Sequence, residues 1–133
     1  MKITFKLEIK ANKKDIWEMY TNIDKRKIWE ENLIDIHLDK GFQKDSKGTF
    51  ELKGMPKMNM EIVEIEEFSK IVDVTNALFG KIYFKLEIIE ENEKTFIKHS
   101  AEVEESVPMQ ILLGIFSGTP EAMGKMKTYV ESK

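Results

Sequence analysis

Between Gly80 and Val103 the chain alternates polar and apolar residues more regularly than anywhere else. Ile82, Phe84, Leu86 and Ile88 oppose Lys81, Tyr83, Lys85 and Glu87. After the polar stretch Glu90-Glu91-Asn92-Glu93-Lys94, the set Thr95, Ile97, His99, Ala101 and Val103 opposes Lys98, Ser100, Glu102 and Glu104. A period of two with a short turn between the halves predicts a long antiparallel hairpin with one buried face. Because a one-residue slip would exchange the two faces, the pattern also fixes the expected facing. Ile82, Phe84, Leu86, Ile97, His99 and Ala101 point to the core, and Lys85, Glu87, Lys98 and Glu102 to solvent.

Shorter segments extend the sheet on both sides of this hairpin. Ile3, Phe5, Leu7 and Ile9 share one face of a first strand. Ile34, Ile36 and Leu38 alternate, then Gly41 and the polar run Lys44-Asp45-Ser46-Lys47-Gly48 break the pattern. Thr49 to Lys53 forms a strand, Gly54-Met55-Pro56 a turn, and Met58 to Glu66 a longer strand. There Met58, Met60 and Ile62 lie on one face while Val63 and Ile65 lie on the other, which predicts a bulge near Ile62. Ile71 to Asn76 follows, with Val72 and Val74 assigned inward. No helix intervenes between these strands, so they are expected to be antiparallel.

Helical spacing is confined to two places. Asn12 can cap a short helix carrying Ile16, Trp17 and Tyr20, and Asn22 or Asp24 a second carrying Ile28 and Trp29. At the other end Met109, Leu112, Leu113, Phe116, Met123, Met126 and Val130 form an apolar stripe near the 3.6-residue period. The stripe predicts a final helix from about residue 108 to 131. Ser117-Gly118 should kink it and Pro120 restart it, since proline suits the first turn. The expected fold class is α+β: a curved antiparallel sheet of six or seven strands around a long C-terminal helix, with two short helices after the first strand.

The 133 residues suit one domain spanning 1–133. Charges of both signs are spread along the chain, the net charge is −3, and Arg26 is the one arginine. Nucleic-acid binding, which needs clustered cations on phosphates, is therefore not expected, nor is an electrostatic membrane anchor. The longest apolar run, Ile111 to Phe116, is too short to span a bilayer, and the alternating N-terminus is neither signal peptide nor anchor. With no cysteine, thiolate chemistry is excluded. Expectation is thus a cytoplasmic protein without membrane insertion, monomeric or weakly dimeric, and without a cofactor.

The opening strand followed by A-N-K-K-D-I-W-E-M-Y-T-N-I-D-K-R-K-I-W-E-E-N-L resembles the start of the SRPBCC, or START-like, superfamily, in particular its polyketide cyclase/dehydrase branch. Trp17 and Trp29 stand where that branch carries tryptophans. The likeness continues through G-T-F-E-L-K-G-M-P-K-M and F-G-K-I-Y-F-K-L-E-I-I-E-E-N-E-K-T to the C-terminal helix. The resemblance implies a helix-grip fold, a single START-like ligand-binding domain, and a cavity between sheet and helix for a lipid, isoprenoid, sterol or polyketide-like molecule.

Candidate ligand-binding residues on this reading are Trp29, Met60, Val74, Asn76, Phe84, Leu86, Ile97, His99, Leu113, Phe116 and Met123. His99, inward between Ile97 and Ala101, either orients a ligand, transfers a proton, or is a hydrogen-bonded core histidine. It is the one catalytic candidate. Trp17 and Trp29 line the cavity mouth or pack the core, and Met55, Met58, Met60, Met109, Met123 and Met126 line a pliable cavity or fill the core. His37 is solvent-facing, and the two histidines lack metal-ligand spacing. Glu102, Glu104 and Glu105 read as a solvated strand face. Cyclases of the superfamily use inward Arg, Asp, Tyr or Trp. Here the assigned inward positions are apolar save Asn76, Thr95 and His99, and Arg26 sits on a polar helix.

The leading function is therefore binding of a small apolar molecule. The alternatives are a cyclase, dehydratase or hydrolase using His99, and a protein-interaction domain resembling the superfamily's chaperone regulators.

Overall fold

The computed structural model describes residues 1–133 except Leu78, Phe79, Glu105 and Lys133, and leaves aside the side chain of Ile115. The expected hairpin is formed by β6 (Gly80–Glu91) and β7 (Lys94–Val103), paired from Ile82↔Val103 to Glu91↔Lys94. Asn92 and Glu93 form the two-residue loop, both with positive φ (51° and 66°), the twist that suits a tight hairpin.

Strands β1 (Lys2–Glu8), β2 (Leu33–Leu38), β3 (Lys47–Leu52), β4 (Met58–Glu66) and β5 (Lys70–Ala77) complete a seven-stranded sheet of order β1-β7-β6-β5-β4-β3-β2. Every neighbouring pair is antiparallel. The bulge expected near Ile62 is present as a register shift between Ile62 and Glu64. A second shift, between Leu33 and Asp35, corrects the reading of β2: Leu33 and Ile36 are buried, and Ile34 is exposed.

Two short helices follow β1. Asn12 caps α1 (Lys13–Thr21) by accepting from the Asp15 amide at 2.8 Å, and Asn22 caps α2 (Ile23–Trp29) by accepting from the Lys25 amide at 3.2 Å. Asn22 also closes α1, so the two helices meet with no linker between them. Ile28, expected on the apolar side of α2, is 49% exposed, because Trp29 one position on takes the inward direction. The C-terminal stripe forms α3 (Met109–Phe116) and α4 (Thr119–Glu131), broken at Ser117-Gly118 with Pro120 in the first turn of α4.

The main core joins Met123, Met126 and Val130 of α4 to Ile16, Trp17 and Tyr20 of α1 and to Ile88 and Ile97 of the hairpin. A second cluster sets Leu112 and Phe116 of α3 against Ile82, Ala101 and Val103. A third, Leu33, Ile36 and Met60, closes the far edge of the sheet. Met123 and Met126 are thus core filler, and Met55 and Met109 are exposed. No helix among the described residues is long and apolar enough to cross a membrane. Glu102 and Glu104 are exposed as expected; Glu105 of that cluster lies outside the described residues.

Candidate functional site

Between the inner face of the sheet and the helices α2, α3 and α4 lies a cavity of about 170 Å³. Its apolar wall comes from Trp29, Met60, Phe84, Leu86 and Phe116, together with Ile36, Phe42, Phe50 and Ile71. Its polar wall is Arg26 of α2 and Glu30 at the C-cap of that helix, Asp73 from β5, Lys85 from β6, His99 and Ser100 from β7, and Thr119 from α4. Trp29 and Glu30 stand three and four positions after Arg26, Glu30 being the C-cap of α2, so the three line one side of the helix end. The Trp29 indole N–H donates to the Met19 carbonyl at 2.8 Å, which holds the ring against α1. Phe116 stacks on Phe5 with ring centres 5.4 Å apart and meets Phe84 at 6.4 Å.

The polar groups are not equivalent electrostatically. Arg26 Nε donates to Glu30 at 2.7 Å, and Arg26 Nη1 donates to the Tyr20 carbonyl at 3.4 Å. The guanidinium is thereby held by a carboxylate one turn away and stays charged. Tyr20, 2% exposed, has its hydroxyl 2.6 Å from His99 Nε2. Burial drives the Tyr20 hydroxyl well above the ordinary phenol value, so it remains protonated. Burial, with a smaller effect from Arg26, pulls His99 down to about 3, so the imidazole is neutral at physiological pH and its Nε2 can accept the tyrosine proton. Asp73 moves the other way: burial raises its carboxyl to about 6, although the positive charge of Arg26 opposes the rise. Among the described residues no cation lies within ion-pair distance of the Asp73 carboxylate.

Of the candidates named from sequence, Trp29, Met60, Phe84, Leu86, His99 and Phe116 are brought together around this cavity. The other five stand elsewhere. Leu113 is 48% exposed, because Leu112 and Phe116, four apart, take the inward face of α3 and Leu113 lies about 100° around from Leu112. Ile97 and Met123 are sealed in the main core. Val74 and Asn76 lie on the outer face of β5, Val74 beside Tyr83 and Glu61, and Asn76 exposed with its amide donating to Asn59 Oδ1 at 3.1 Å.

That last pair reflects a one-residue error in the facing of β5. Asp73 sits in register with Ile62 and Phe84, both inward, so Ile71, Asp73 and Thr75 point to the core and Val72 and Val74 do not. Sequence reasoning accordingly missed Asp73, and by treating α2 as a polar surface helix it missed Arg26 and Glu30. The available signal was a lone carboxylate in the mainly apolar run I-V-D-V-T.

No protein-family model and no curated protein matches the sequence. Solved structures do match. Protein MLL2253 from Mesorhizobium loti superposes with a TM-score of 0.81 at 10% identity, covering 100% of this chain and 98% of that one. Aha1 from Colwellia psychrerythraea, whose structure is that of a dimer, gives 0.79 at 15% identity over 98% and 96% of the two chains. CalU16 from Micromonospora echinospora gives 0.73 at 18% identity over 97% and 73%. The chain has the helix-grip fold. At such identities the likeness speaks for the helix-grip architecture alone, which hosts unrelated activities, so function rests on the cavity and its side chains.

Proposed function

We propose that this helix-grip protein binds a small, largely apolar molecule between its sheet and its C-terminal helices, with a polar group of the ligand turned toward Asp73, Arg26 and His99. The observation that carries this reading is the cavity itself, apolar on most sides and edged by half-buried ionisable groups. Its volume, about 170 Å³, is near the roughly 150 Å³ that accommodates benzene and below the roughly 300–1,000 Å³ of drug-sized pockets. A lipid, sterol or polyketide exceeds it as it stands, so the occupant is a compact molecule. Removing roughly 250 Å² of apolar ligand surface from water contributes about 6 kcal/mol before association costs, enough for weak to moderate affinity.

A thermal-shift and native mass-spectrometry screen of compact aromatic and aliphatic compounds tests this. Leu86→Trp, which fills the cavity from the wall, should weaken any hit at least about tenfold. No hit with the wild-type protein would end the binding reading.

Proton-transfer catalysis is a second reading, favoured by one observation: a carboxyl raised to about 6 is poised to exchange protons near neutral pH. Asp73 then takes the role first given to His99, whose Nε2 is engaged by Tyr20. Product analysis of every bound compound separates the two readings, since conversion abolished by Asp73→Asn supports an enzyme.

A further inference from the structure

Two cations, Arg26 and Lys85, and two carboxylates, Glu30 and Asp73, face the cavity, but neither cation is ion-paired with Asp73. Arg26 is spent on Glu30, its Nε donating to the carboxylate at 2.7 Å, and its guanidinium also stands over the Tyr20 ring, 6.0 Å from the centroid. Tyr20 and His99 are both neutral and bonded to each other. Lys85 contributes to the cavity wall from β6, but its ammonium is 3.6 Å from Glu87. Asp73 is left over. Its in-register neighbours are Ile62 and Phe84, and no described cation pairs with it.

An ionised Asp73 is therefore a carboxylate without an ion-pair partner in a largely apolar cavity, the Arg26 charge acting on it only from beyond ion-pair distance. Such a charge is costly unless something of opposite sign joins it. An anionic ligand would meet Asp73 and Glu30 together and find Arg26 already held. A neutral alcohol could donate one hydrogen bond to Asp73 but would leave it without an ion-pair partner. A monocation satisfies both requirements, and the aromatic side chains of Trp29, Phe84 and Phe116 on the same cavity suit both its apolar body and its charge.

We infer that the occupant of this cavity is a compact apolar amine, bound as its cation with the ammonium on the Asp73 carboxylate and its hydrocarbon part among Trp29, Phe84 and Phe116. The inference rests on the binding reading and names its ligand class. It makes Asp73 the specificity-determining residue and Arg26–Glu30 a neutralised pair that turns anions away. It also couples binding to pH. Proton and ammonium compete for one carboxylate, so amine affinity holds above about pH 6 and falls below it as Asp73 takes up a proton.

The test compares three probes of one size, 2-phenylethylamine, 2-phenylethanol and phenylacetate, by isothermal titration and Trp fluorescence. At pH 7.5 the amine should bind at least about tenfold tighter than either other probe. Lowering the pH to 5 should weaken the amine about tenfold and leave the alcohol unchanged. Asp73→Asn should erase both the preference and the pH dependence. Should that variant fail to fold, the wild-type pH profiles decide alone. An alcohol bound as tightly as the amine overturns the inference, and tightest binding of phenylacetate overturns it by making Arg26 the anchor. If none of the three binds while other compact apolar molecules do, the amine assignment falls and the binding reading stands. If nothing in the wider screen binds, the binding reading itself fails and takes the amine with it.

Discussion

Tyr20 Oη and His99 Nε2 lie 2.6 Å apart and tie the first helix to β7 of the sheet. Tyr20 is buried and His99 half-buried beside it, and each is the other's side-chain hydrogen-bond partner. Tyr20→Phe leaves His99 Nε2 without its partner and should cost about 1–3 kcal/mol in urea unfolding. His99→Leu alone strands the hydroxyl and should cost a similar amount. The double variant should cost clearly less than the two losses together, which a double-mutant cycle measures directly.

His99 and Asp73 act on acid stability with opposite signs. His99 titrates at about 3 in the folded chain against an ordinary 6.5. The unfolded chain therefore binds a proton that the folded one refuses, and stability is lost as pH falls from about 6.5 toward 3. Asp73 titrates at about 6 against an ordinary 3.8, so the folded chain protonates first and stability is gained as pH falls from about 6 to 4. Each slope is about 1.4 kcal/mol per pH unit, and in that window they offset each other. Asp73→Asn removes the gain, so its stability should fall steadily between pH 6 and pH 4. His99→Gln removes the loss and should grow more stable over the same range. Urea midpoints at pH 6, 5 and 4 read both effects.

At pH 7.5 the unpaired Asp73 carboxylate weakens the empty protein. Asp73→Asn should raise unfolding stability there by roughly 1–3 kcal/mol, the equivalent of its upward displacement. A variant that is more stable and binds less well is the expected signature of a residue kept for binding rather than for the fold. Unchanged or lower stability would show that the charge is better solvated than its surroundings imply.

How far the sequence reveals this arrangement depends on where apolar residues fall. On β6 every second residue is apolar over a long run, and on β7 Ile97, Ala101 and Val103 follow the same alternation with Thr95 and His99 between them, so the facing is legible although Ser100 on the other side is buried too; the doubled apolar pair at Ile62 and Val63 marks the bulge in advance. On β5 the string Ile71-Val72-Asp73-Val74-Thr75 holds apolar residues on both faces. Two valines outweigh one isoleucine in a simple count, yet the count fails because Val74 is covered on the outer face by its cross-strand neighbours while a cavity admits a carboxylate on the inner one. The same holds for Arg26, since an arginine on a short helix reads as solvated until α4 is seen to pack beside it. The polar half of the site is thus a property of tertiary packing, and local pattern carries only its apolar half.

Gly48 occupies a point where two backbones nearly touch. A Cβ there would overlap the His37 carbonyl oxygen across the β2–β3 pairing, with Leu38 directly opposite. Because backbone atoms cannot rotate away as a side chain can, Gly48→Ala should cost at least ~2 kcal/mol and loosen β2, visible as lost amide protection from Leu33 to Leu38. Gly114→Ala, where nothing stands within 4 Å of the added atom, is the matched control and should be neutral or slightly stabilising.

The two-residue loop at Asn92-Glu93 also sets an order of events in time. It lets β6 and β7 meet with almost no loop-closure entropy, whereas the pairing of β1 with β7 joins residues as far apart as Lys2 and Glu102. The hairpin is therefore the part of the sheet that can form before its surroundings, and the β1 seam must wait for the rest of the chain. The cavity waits longer still, because its walls draw on segments from Arg26 to Ala122 and exist only once α4 has docked. A ligand can thus recognise only the finished protein: it cannot guide early collapse, and it slows unfolding without hastening folding.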